Sequence, residues 1–127
     1  MRKDIVALIL EKDGKILVEK RKESKKTTPS SIIFPGGHVN SHENLEDALA
    51  REIKEELGII IYNPRLIYQA DFDCEEKQRI YWYGCESYGG EMKMYEAEKL
   101  IWIHPIESHL LTHQVSRDAL NEYLRKK

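Results

Sequence analysis

The sequence has few of the features that anchor or staple a protein. It contains two cysteines, Cys74 and Cys85, among 127 residues. Two are too few for a disulfide framework, and they lack the paired spacing of a zinc site. Reduced, half-buried thiols follow, as in a cytoplasmic protein. Long apolar runs are also absent. The run Ile5 to Leu10 gives about six apolar residues before Glu11, far short of the ~20 that span a bilayer and too short for a signal peptide. No membrane association is expected, and the cytoplasm is the expected location. A basic excess is missing as well, since the formal net charge is −2. That argues against a dedicated nucleic-acid binder but leaves room for a small phosphorylated ligand met by a local basic patch. There is no internal repeat, low-complexity segment or linker, so one domain over 1–127 is expected.

What is present is a soluble, globular composition, with 41% hydrophobic and 33% charged residues. Ile5 to Leu10 predicts a buried strand. Asp13-Gly14 predicts a hairpin into Lys15 to Arg21. Lys22 to Ser31 is polar and lysine-rich, and predicts a mobile loop. Ser31 to Phe34 predicts a brief strand stopped by Pro35-Gly36-Gly37. Further strands are expected at Ile59 to Tyr62, Arg65 to Phe72, Arg79 to Tyr88 and Leu100 to Ile103. A helical turn is expected over 106–111, and a helix over Ser116 to Leu124. Strands, helix, strands, helix is the order of an α/β (α+β) fold, with a mixed sheet covered by helices.

The stretch Gly36 to Ile59 stands apart. Leu45, Leu49, Ile53 and Leu57 recur every four residues, as on an amphipathic helix. Asn40, Ser41 or Asn44 can cap that helix, with Glu43 near its first turn, and Gly58 is placed to end it. At roughly 100° per residue, Glu52, Glu55 and Glu56 share one arc beside the stripe. Three carboxylates there repel one another. A solvated face is the ordinary explanation of such a cluster; a hard divalent cation with oxygen ligands is the functional one.

The spacing favours the second. Gly37 is followed by five residues and Glu43, then by seven residues and Arg51-Glu52-Ile53. One residue later come Glu55-Glu56, then Leu57, Gly58 and Ile59. Residues 37–59 thus resemble the signature box of the Nudix hydrolases, with every fixed position filled. Leu17-Val18 before Lys20-Arg21, the run Ile33-Phe34-Pro35-Gly36-Gly37, and Leu100 to Ile103 are similar to small MutT-type members. The resemblance implies an α/β/α sandwich with a mixed central sheet. It implies hydrolysis of nucleoside di- or triphosphate derivatives with Mg²⁺, or sometimes Mn²⁺.

By that resemblance Gly37, Glu52, Glu55, Glu56 and Glu96 are metal ligands, and Arg51, Glu52, Glu55 and Glu56 are catalytic. Arg51 would hold a catalytic glutamate, with Glu43 as its structural partner. Gly36, Glu43 and Gly58 are structural parts of the motif. The general base is open between Glu52 and a loop glutamate, Glu96 or Glu98. Arg21, Phe34 and Gln114 are candidates for substrate binding, and Tyr81 and Tyr83 for stacking on a base. The expected reaction is MutT-type conversion of a (d)NTP to NMP and pyrophosphate. Cleavage of ADP-ribose or a nucleotide sugar, and a non-catalytic nucleotide-binding regulator, are the alternatives. A nucleotide is the expected partner, with no stable nucleic-acid partner, and the chain is expected to be a monomer or homodimer.

Overall fold

The computed structural model describes all residues, 1–127. Its strands are β1 (Lys3–Lys12), β2 (Lys15–Lys20), β3 (Ile32–Ile33), β4 (Gly36–His38), β5 (Ile60–Tyr62), β6 (Arg65–Asp73), β7 (Lys77–Cys85), β8 (Ser87–Gly89) and β9 (Lys99–Ile103). Helices α1 (Leu45–Leu57) and α2 (Gln114–Arg125), with a 3₁₀ segment at Pro105–Leu110, complete it. A seven-stranded sheet runs β3-β2-β1-β7-β6, with β4 paired to β1 and β9 to β2. β1 and β7 are parallel, while their other pairings are antiparallel. β5 and β8 form a separate ribbon. The mixed sheet is therefore as expected. No helix is long and apolar enough to cross a membrane.

Alternation along β1 explains the layering. Val6, Leu8 and Leu10 face one way and pack with Leu49, Ile53 and Leu57 of α1. Ala7 and Ile9 face the other way and pack with Ala119, Leu120 and Tyr123 of α2. A strand buried on both faces reads as a continuous apolar run, which is what Ile5 to Leu10 is. The β1–β2 turn has positive φ at both Asp13 and Gly14, as a tight hairpin requires.

Four elements differ from the sequence-based expectation. Pro35-Gly36-Gly37 does not simply stop a strand: Gly36–His38 pairs with β1, Gly36 opposite Ala7. The glycine allows it, because a Cβ at Gly36 would stand 1.9 Å from the Val6 carbonyl oxygen. The strand expected over Arg79 to Tyr88 divides at Glu86, where the chain leaves β7 and joins β5 as β8. α2 begins at Gln114, two residues before the apolar periodicity shows it. Lys22 to Ser31 is tied down rather than loose: the Arg21 N–H donates to the Ser31 carbonyl, and the Thr28 N–H to Glu75.

α1 is capped at both ends. The Asn44 side chain accepts from the Asp47 N–H at 2.8 Å. Gly58 closes the helix in the left-handed region, φ 70°, donating to the Lys54 carbonyl. Replacing Gly58 with Ala should cost about 1–2 kcal/mol. Gly36→Ala meets immovable backbone and should cost more than that, with disruption of the β1–β4 pairing. Urea midpoints of the two variants against wild type would test the ranking; equal midpoints would contradict it.

Candidate active site

The site forms where β4 and the loop after it meet the middle and second half of α1. Arg51 organises it. Its Nε and Nη2 donate to both oxygens of Glu43, at 2.7 and 2.9 Å. Nη2 also donates to the His38 carbonyl oxygen at 3.0 Å, and Nη1 to Glu52 Oε1 at 3.0 Å. Nη1 reaches Glu55 only at 3.3–3.4 Å. One planar guanidinium thus holds the loop and a helix carboxylate together, geometry that lysine does not reproduce. Glu43 lies just before the helix cap rather than in the first turn, and accepts from the Asn40 N–H. The Arg51 guanidinium holds its carboxyl down at about 2, and Arg51 is itself pushed up by Glu43.

Gly37 sits against Glu52. A Cβ there would stand 2.4 Å from the Glu52 carboxylate, so the missing side chain is the space that carboxylate occupies. Burial raises the Glu52 pKa, with Arg51 opposing it.

The three box glutamates do not share one environment. Glu55 is 50% exposed at its side chain. Glu56 is turned inward and only 5% exposed. It meets Glu19 of β2, 4% exposed, a strand residue outside the sequence motif. Burial and the Glu19 charge both raise the Glu56 pKa well above the carboxylate range, and burial raises that of Glu19 too. Glu56 Oε2 is buried with no hydrogen-bond partner. Burying an uncompensated charge costs several kcal/mol, so this pair must share a proton or meet a cation. One sequence cue pointed to Glu19: period two puts it on the face of Leu17, which packs toward α1.

Glu96, from the loop before β9, lines the small pocket shared by Glu19, Glu56, Arg21 and Lys25. Its nearest cation is Lys25, 3.9 Å away. Glu98 instead pairs with Lys20 at 3.1 Å and does not join that pocket.

The donor set suits a hard divalent ion: carboxylate oxygens only, one of them buried and orphaned. No three of these side chains converge tightly enough to enclose an ion by themselves.

A second, partly open cavity adjoins the loop on the α2 side of the sheet. Arg21, Phe34, Trp82, Gln78 and His113 are among its walls. Arg21 lines both this cavity and the carboxylate pocket, and is fixed by donating to the Thr27 carbonyl at 3.0 Å. Phe34 forms a buried wall. Gln114 does not reach the cavity. It sits at the start of α2 and bonds Asp118 and Arg117, while its neighbours His113 and Ser116 line the space. Tyr81 and Tyr83 pack on the α1 face, opposite the cavity, because alternation turns Gln78, Ile80 and Trp82 toward it.

The buried pair sets a pH dependence. In chelated protein, Glu56 has a raised pKa only when folded, so above the ordinary value of 4.5 the folded state holds the extra proton. That stabilising contribution is complete below 4.5 and is lost as pH rises through the raised value. Glu56→Gln removes the loss. The urea midpoint of Glu56→Gln minus that of wild type, measured in EDTA, should therefore grow between about pH 5 and 8. Added Mg²⁺ should raise wild type more than the variant. A difference independent of pH would contradict the buried pair.

Comparisons with known proteins agree with this arrangement. The NUDIX domain family model matches residues 1–123. The CTP pyrophosphohydrolase of Escherichia coli (strain K12) is 33% identical over 109 residues, 83% of this chain and 78% of that protein. The 8-oxo-dGTP diphosphatase of Haemophilus influenzae is 32% identical over 99 residues, 77% of this chain and 70% of that one. A crystal structure of a MutT protein from Methanosarcina mazei Go1 superposes with a TM-score of 0.87 at 25% identity, covering 98% of this chain and 94% of that one. With its box residues gathered around one guanidinium and a family match over nearly its whole length, the chain belongs to the NUDIX family, whose hydrolases act on phosphoric anhydrides.

Proposed function

We propose that residues 1–127 act as one domain, a MutT-type pyrophosphohydrolase that cleaves a ribo- or deoxyribonucleoside triphosphate to the monophosphate and pyrophosphate. The observation that carries this reading is the position of Arg21. It lines both the carboxylate pocket and the apolar cavity. A base in the cavity would send its phosphate chain past this guanidinium toward the glutamates. Relatives named for CTP and for 8-oxo-dGTP hydrolysis support a triphosphate substrate.

Mg²⁺, or Mn²⁺, is the cofactor of this reading, held by Glu52, Glu55, Glu56 and Glu96 with the Gly37 backbone. Such an ion neutralises phosphate charge and acidifies bound water. Glu52 is the general base. Arg51 holds its Oε1, leaving Oε2 to accept the proton of the attacking water. Glu43 keeps Arg51 in that position through two bonds. Arg21, with Lys25 beside it, binds the outer phosphates. The protein works on the cytoplasmic nucleotide pool, as a monomer or homodimer.

Nucleotide and pyrophosphate release should be measured with Mg²⁺ across dNTPs, oxidised dGTP, NTPs, ADP-ribose and dinucleoside polyphosphates. Triphosphates should give the highest kcat/KM. Glu52→Gln should lower kcat about 10²- to 10⁴-fold with the fold intact, whereas Glu96→Gln should chiefly raise the Mg²⁺ concentration needed for half-maximal rate. The reverse pattern would move the base to Glu96. Preferred turnover of ADP-ribose would overturn the triphosphate assignment, and tight binding with no turnover of any substrate would favour a regulator.

A further inference from the structure

The cavity beside the glutamates carries one polar group whose orientation the protein dictates. Gln78 of β7 is 7% exposed and lies on the face of Ile80 and Trp82, lining the cavity. A glutamine inside an otherwise apolar strand face needs partners for its amide. Its Nε2 donates to Glu76 Oε1 at 2.9 Å, and the same oxygen pairs with His38 Nε2. An ionised carboxylate only accepts, and hydrogen bonding holds Glu76 below its ordinary pKa. The amide therefore cannot flip: its NH₂ must face Glu76. Its Oε1 accepts no bond from the protein. The cavity thus presents a fixed acceptor with no donor of its own.

The neighbouring polar groups do not duplicate this selectivity. His113 stacks against Phe72, ring centroids 4.7 Å apart. Burial and Arg117 lower its pKa, so it stands neutral at physiological pH and can donate or accept by tautomer. The hydroxyls of Thr27, Thr28 and Ser116 rotate to suit either role. Arg21 offers only donors and is held by Thr27. Gln78 Oε1 is the side-chain acceptor locked into a single sense.

We propose that Gln78 Oε1 selects nucleobases bearing an exocyclic amino group over keto counterparts otherwise alike: cytosine over uracil, adenine over hypoxanthine, guanine over xanthine. An amino group donates to the waiting oxygen. A keto oxygen in its place sets two acceptors against each other in a desolvated site, and sites built for such a bond reject the mismatched analogue strongly. Glu76 is the positioning residue, acting through the orientation it imposes on the Gln78 amide. This selection rests on the triphosphate reading above and narrows its substrate class.

The test is a ratio of kcat/KM within matched pairs: CTP against UTP, ATP against ITP, GTP against XTP. In the pair whose base fits the cavity, wild type should favour the amino member by about 10- to 100-fold. Gln78→Leu, which keeps bulk but removes the acceptor, should bring that ratio within about twofold. Glu76→Gln should also relax it, because an amide at 76 can donate as well as accept and frees the Gln78 amide to turn. A fold defect alone would lower both members of a pair and leave the ratio unchanged. Wild type treating all three pairs alike, or Gln78→Leu keeping its preference, would overturn the proposal. Should no triphosphate be turned over, the hydrolase reading fails, and the same ratios are then read from binding of the α,β-imido analogues. Equal affinities within each pair would overturn the selection separately.

Discussion

The site depends on one guanidinium. Arg51 joins Glu43, the His38 carbonyl and Glu52, and these come from the loop, from the end of β4 and from the helix that follows. Without a cation at that point the loop would present carboxylates and a carbonyl to the helix carboxylates, an arrangement that repels itself. With it, the loop becomes the rim of a site and Glu52 keeps one oxygen tied and one oxygen available. The bidentate contact to Glu43 makes the arrangement geometric as well as electrostatic.

A second constraint is electrostatic and unresolved by the protein itself. Glu19 and Glu56 are buried together, and Glu56 Oε2 has no donor. A fold optimised only for stability would place apolar groups there, since a buried charge without a partner costs several kcal/mol. Elsewhere the core follows that rule, with β1 packed on both faces by aliphatic side chains. The exception falls at the pocket where Arg21, Lys25 and Glu96 also meet. Strain of this kind at one place in an otherwise consistent core marks where function rather than stability sets the residue.

Much of this was legible in the sequence, because the relevant spacing is local. The stripe Leu45 to Leu57, the cap at Asn44 and the stop at Gly58 are properties of a single helix. Arg51 and Glu43 lie close enough in the chain for a motif to record their pairing. Three other groups were not readable in that way. Gln114, a candidate for substrate binding, starts α2 and turns its side chain to Asp118, while His113 and Ser116 line the cavity. Tyr81 and Tyr83 were candidate stacking partners, and the parity of β7 sends them to the α1 side. Glu19 lies outside the motif, because its partner Glu56 is far away in sequence.

Spacing along the chain was enough for the family, the mixed α/β order, the helix with its caps, and the identity of the carboxylates crowded on it. Periodicity and spacing are enough for these, since each is set within one element or one loop. Which glutamate is buried, and that Glu96 rather than Glu98 joins the pocket, came from the packed fold. It alone placed Arg21 between the two cavities and gave the Gln78 amide one direction. Those facts depend on which faces of β2, β7 and α1 meet, and facing is decided by packing across the sheet rather than by neighbours along the chain.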